Sequence, residues 1–106
     1  MADKFFVTAV VVTHDGATWL PKVIAALGSQ SRNIERIVAV DTGSTDNSVK
    51  LLKSSGITHF IEDRDLGYGD AIDHALELTP SAGDDEWIWL IHDDCAPDKD
   101  ALAHLL

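Results

Sequence analysis

Apolar residues recur along this chain in alternating strand-like and helix-like runs. Phe5 to Thr13 reads Phe-Phe-Val-Thr-Ala-Val-Val-Val-Thr, apolar on both faces, which predicts a central strand of a parallel sheet. His14, Asp15 and Gly16 end it. Thr18 is placed to cap a helix, and Pro21 is tolerated in a first turn. Leu20, Val23, Ile24 and Leu27 then repeat at i, i+3, i+4 and i+7, and Gly28 closes the pattern. Trp19 is expected to anchor the start of this helix against the sheet. Ile34 to Asp41 predicts a second strand. The turn Thr42-Gly43-Ser44-Thr45-Asp46, with Ser44 as cap, leads into a helix that carries Val49, Leu51 and Leu52 and stops near Gly56. Thr58 to Ile61 predicts a short third strand. Leu66-Gly67-Tyr68-Gly69-Asp70 opens a third helix with the stripe Ala71, Ile72, Ala75 and Leu76, ended by Pro80 and a small polar cluster. Trp87 to Asp94, Trp-Ile-Trp-Leu-Ile-His-Asp-Asp, starts as an apolar run long enough for a buried strand and ends in a histidine and two carboxylates. Ala101, Leu102 and Leu105 predict a last helix.

Strictly alternating strands and helices predict an α/β fold, a mostly parallel sheet with helices on both faces. At 106 residues the chain is expected to form one domain, spanning residues 1–106. The last helical pattern has no closing signal, so the domain is expected to be the first half of something longer. Charge sharpens the picture. Eighteen acidic against eight basic residues give a formal charge of -10, which argues against general binding to nucleic acid. From Glu62 onward there are thirteen acidic residues and two basic ones, Arg64 and Lys99. An acidic cleft that takes an anionic substrate needs a divalent cation between them. Cys95 is the only cysteine, which excludes an internal disulfide, and its acidic neighbours disfavour a catalytic thiolate. The absence of a long apolar run or a signal-peptide pattern leads to an expected location in the cytoplasm or on the cytosolic face of a membrane.

Three predicted strands end in acids on what should be one edge: Asp15, Asp41, and Asp93 with Asp94. Ligands of open α/β sheets bind beyond the carboxyl ends of the strands. Carboxylates there can accept hydrogen bonds from a base and a ribose while one holds Mg²⁺ or Mn²⁺ against phosphates. His14 and His92 lie at the same rim, each able to ligate a metal or contact a phosphate. Neither Gly-x-x-x-x-Gly-Lys nor Gly-x-Gly-x-x-Gly is present, which disfavours a P-loop enzyme and the usual dinucleotide fold. No Gly-x-Ser-x-Gly elbow supports a hydrolase triad.

Four motifs together resemble the N-terminal, nucleotide-sugar-binding half of inverting family 2 glycosyltransferases, the Rossmann-like first half of the GT-A fold. They are Val10-Val11-Val12-Thr13-His14-Asp15, Val40-Asp41-Thr42-Gly43-Ser44-Thr45-Asp46, Asp65-Leu66-Gly67 with Ala71 and Asp73, and Leu90-Ile91-His92-Asp93-Asp94. The run His92-Asp93-Asp94-Cys95-Ala96-Pro97 resembles actinobacterial members that act on cell-envelope glycans. The resemblance implies that Thr13, His14 and Asp15 line a nucleotide pocket and that Asp41 accepts from the base. It gives Asp46 a structural role, sets Asp65 and Gly67 near the nucleotide, and puts Asp93 near the ribose. Asp94 would ligate the cation, with His92 a second candidate ligand. The family's usual Asp-x-Asp has His92 in its first place, and Asp-Asp-Gly reads Asp41-Thr42-Gly43.

The implied reaction moves a sugar from a nucleotide diphosphate sugar, most often of UDP, to a hydroxyl on a glycan or lipid-linked acceptor. The catalytic base is expected outside these residues. A nucleotidyltransferase is disfavoured because His14-Asp15-Gly16-Ala17 is not a glycine-rich basic phosphate loop. A receiver-like phosphoacceptor lacks its acid pair after the first strand and its late lysine. A catalytically inert folded fragment or interaction domain stays open. Uncovered apolar surface predicts self-association.

Overall fold

The computed structural model describes residues 3–57, 59–64 and 66–106. In chain order the elements are β1 (Phe6–Thr13), α1 (Leu20–Gly28), β2 (Arg36–Asp41), α2 (Ser48–Ser54), β3 (His59–Glu62), α3 (Tyr68–Leu78), β4 (Glu86–His92) and α4 (Ala101–Leu105). The four strands form one sheet in the order β3-β2-β1-β4, parallel throughout. The α/β class, the central place of β1 and the parallel pairing are as the apolar pattern predicts.

Successive residues of a strand face opposite sides of the sheet, so β1 supplies two cores. Ala9 and Val11 face α1 and α2, packing with Leu20, Val23, Leu27, Ala39, Leu52 and Ile91. Val10 and Val12 face α3, packing with Val38, Val40, Ala71 and Ala75. The two small alanines let α3 approach β1 and β2 closely. The result is three layers, α1 and α2 on one face and α3 on the other.

At the amino-terminal end of the sheet a part-buried ion pair ties three strands together. Glu86 Oε2 accepts from Arg36 at 2.8 Å and from the Thr8 hydroxyl at 2.7 Å, while its Oε1 accepts from Ala82 N–H at 3.1 Å. Burial alone would raise the Glu86 carboxyl. The hydrogen bonds from Thr8, Ala82 and Arg36 together outweigh it and hold the group below its ordinary value.

Three local expectations are revised. β4 is not a covered core strand: it lies at the sheet edge, with Trp87 52%, Ile88 37% and Leu90 47% exposed. α3 sits over β1 and β2 and stops short of it. Trp19 does not anchor α1; it occupies the N-cap position and is 53% exposed, because Leu20 takes the buried place. The caps expected at Thr18 and Ser44 do not form. α2 begins later, at Ser48, whose N–H donates to Asp46 Oδ1 at 2.9 Å.

Candidate functional site

The chain runs outward from β1 through β2 to β3 and then returns to the other side of β1. Such a reversal opens a crevice at the carboxyl ends of the strands. Here it is a cavity of about 600 Å³ lined by Val12, His14, Thr42, Leu66, Gly67, Tyr68, His92 and Asp93. β1, β2, β4 and the entry to α3 each contribute to it. Val12 and Leu66 make an apolar part of the wall, and the remaining side chains are polar or aromatic.

Asp93 joins the end of β4 to the end of β1. Its Oδ2 accepts from the Thr13 hydroxyl at 2.9 Å and from His14 N–H at 3.0 Å. Thr13 is fully buried, so this bond also satisfies its hydroxyl. Gly16 lies so close that a Cβ there would sit 2.7 Å from the Asp93 carboxyl carbon. Only glycine leaves room for that carboxylate.

The loops after β1 and β2 are cross-laced. Asp15 adopts a positive φ of 52°, and its Oδ1 accepts from Thr45 N–H at 2.7 Å. Ser44 Oγ accepts from Asp15 N–H at 2.9 Å. Asp41 is buried and turns back on its own loop, accepting from the N–H groups of Gly43 and Ser44 at 3.2 and 3.1 Å and from the Ser44 hydroxyl. Asp46 Oδ2 accepts from Ala17 N–H at 3.1 Å. Hydrogen bonding from Ser48, reinforced by Ala17, holds the Asp46 carboxyl below its usual range despite some loss of solvent. His14 hangs over this lacing with Nδ1 3.2 Å from Thr42 Oγ1 and Nε2 3.5 Å from Asp15 Oδ2.

The sequence model of Glycosyl transferase family 2 matches residues 8–106. The chain belongs to glycosyl transferase family 2. It is 28% identical over 103 residues to the O-antigen chain rhamnosyltransferase RfbN of Salmonella typhimurium (strain LT2), an alignment that covers 94% of this chain and 32% of that protein. The chain thus spans about a third of the length of the curated relative it matches.

In this family 2 member the expected site residues divide by position. His14, Gly67 and Asp93 line the cavity, and so does His92. Thr13, Asp15 and Asp41 do not line it; their side chains are engaged in the hydrogen bonds just described. Asp65 lies outside the described residues. Asp94 is exposed and makes no hydrogen bond or ion pair among the described residues. The four strand-end carboxylates share an edge but do not converge: among the described residues no three His, Cys, Asp or Glu side chains come together as a cation site. Asp94 and the neighbouring His92 offer oxygen and nitrogen donors that suit Mg²⁺ or Mn²⁺ only when further oxygens complete the shell. The residues therefore fit a cation only as part of its ligand set.

Sequence reading missed Thr42, Leu66 and Tyr68 as wall residues. Thr42 and Leu66 lie inside the matched motifs, between residues with stronger chemistry. Tyr68 was read only as part of a helix start. Its ring stacks on His92 with centroids 4.7 Å apart and planes at 11°. Burial against the wall pushes the Tyr68 phenol up from its ordinary value.

Proposed function

We propose that this chain forms the donor-binding part of an inverting glycosyltransferase that moves a sugar from a nucleotide diphosphate sugar to a hydroxyl on a glycan or lipid-linked acceptor. One observation carries the reading: residues from all four family-like motifs, His14, Thr42, Leu66 with Gly67, and His92 with Asp93, line one cavity at the strand-order reversal. The apolar wall at Val12 and Leu66 suits a flat base or a ribose face, and the polar side chains suit hydroxyl and phosphate oxygens. His92 is the candidate for a phosphate contact, and Asp94 for holding Mg²⁺ or Mn²⁺. Such a cation, when bound, offsets charge on a departing diphosphate. No residue here is proposed as the catalytic base. Among the described residues no helix is long and apolar enough to cross a membrane.

The test is calorimetric titration of the chain with UDP, dTDP and GDP, each with and without Mn²⁺. Manganese-dependent binding of one of them is the expected result, and its base names the donor class. Binding of none of the three, with metal present, refutes the donor-site reading and leaves the inert-fragment alternative.

A further inference from the structure

The end of β4 presents three polar side chains in a row, and they are not equivalent. Asp93 is held by Thr13 and His14. Asp94 is exposed. His92 lies on the cavity wall, and its ring nitrogens have no hydrogen-bond partner among the described residues. An imidazole without a partner rotates about its side-chain bonds, and that freedom must be lost when a ligand binds. Here one ring face is already covered. Tyr68, the first residue of α3, lies parallel to it at 4.7 Å. A stacked neighbour fixes the plane of the ring and leaves its edge, where the nitrogens are, open.

We propose that Tyr68 is a positioning residue for donor binding: by stacking on His92 it holds that imidazole edge-on to the cavity, where a ring N–H donates to a phosphate oxygen of the nucleotide. The inference rests on the donor-site reading above. Its register explains why α3 begins where it does. Gly67, in extended backbone at the N-cap, delivers Tyr68 to the wall before the helix turns away with Ala71 and Ala75 against the sheet. The aromatic ring is thus set by the same packing that seats the helix. His92 stands in the first place of a motif that usually carries a carboxylate there, and a hydrogen-bond donor is the better partner for a phosphate at that place.

A double-mutant cycle on the chain tests this, with UDP and Mn²⁺ as the probe. Tyr68→Leu keeps an apolar helix-forming side chain and removes the stack; it should weaken UDP binding roughly two- to twelvefold, the range of one aromatic pair. Tyr68→Phe should restore the loss. In a His92→Ala background Tyr68→Leu should cost nothing further, because Tyr68 acts through His92. The His92 ring-proton resonances should move downfield in Tyr68→Leu as the ring current is lost. Unchanged UDP affinity in Tyr68→Leu, or losses that simply add in the double variant, would overturn the proposal. If the unmodified chain binds none of UDP, dTDP and GDP, the donor-site reading falls first and this inference falls with it.

Discussion

At the scale of single residues, the informative finding is that Asp93 works as a hinge pin. Sequence reading set it near a ribose, where its charge would matter. In the structure its Oδ2 is used to fasten the β4 end to the β1 loop. The two roles separate experimentally. Asp93→Asn keeps an acceptor oxygen for Thr13 and His14, so its stability by urea denaturation should stay within about 0.5 kcal/mol of the parent. Asp93→Ala strands a buried hydroxyl and an N–H, and should cost about 1–3 kcal/mol. Gly16→Ala attacks the same point from the other side. The new methyl and the Asp93 carboxylate cannot share the space, so the carboxylate must leave its place against Thr13 and His14. A stability loss of about 1–3 kcal/mol is expected, with UDP affinity falling at least as far as in Asp93→Ala. Nothing in the sequence pattern distinguishes Gly16 from a plain loop glycine, since its reason lies 77 positions away in Asp93.

Among the elements, strands and helices were readable because their apolar period is a local property. All four strands and all four helices lie where the periodicity predicts them, to within a few residues at the ends. What periodicity does not carry is the identity of a neighbour. Trp87 to Ile91 reads as a strand that wants cover on both faces, yet the run is the same whether the cover comes from α3 or from elsewhere. Cap positions failed for a related reason: Asn47 and Trp19 hold them without any side-chain cap bond, where residue type alone favours Ser44 and Thr18. The clamp among Arg36, Glu86 and Thr8 was also invisible, because it joins three elements. It gives a clear expectation. Arg36→Ala leaves the part-buried Glu86 carboxylate without its cation, and should cost roughly 3 kcal/mol. The sign of its pH dependence follows from the depressed Glu86 value. Its stabilisation is fully present above the unfolded glutamate value, about 4.3, and is lost as pH falls through the lower folded value. Urea midpoints measured from pH 6 down to 3 should therefore fall more steeply for the parent chain than for Glu86→Gln.

For the molecule as a whole, β4 is one of two open sheet edges, with β3 at the other. β4 pairs only with β1 among the described residues, and its exposed apolar side chains lie on both faces. A strand edge of this kind recruits another strand, so the isolated chain should self-associate in sedimentation experiments at high concentration. Leu90→Lys should shift the distribution toward monomer. The charge of -10 opposes association at neutral pH, and the tendency should grow as pH approaches the isoelectric point near 4.6. The pairing of β4 with β1 has one more consequence, in the order of synthesis. Thr13 and Asp93 are 80 residues apart. At about 5–20 residues per second, a ribosome needs roughly 4–16 s to pass from one to the other. Throughout that interval β1, β2 and β3 can meet while the β4 side of β1 stays bare. The bond that completes the cavity wall therefore forms only after the other three strands have been made. If the cavity is the donor site proposed above, nucleotide capture by ribosome-bound chains of increasing length should begin only after Asp93 has left the exit tunnel.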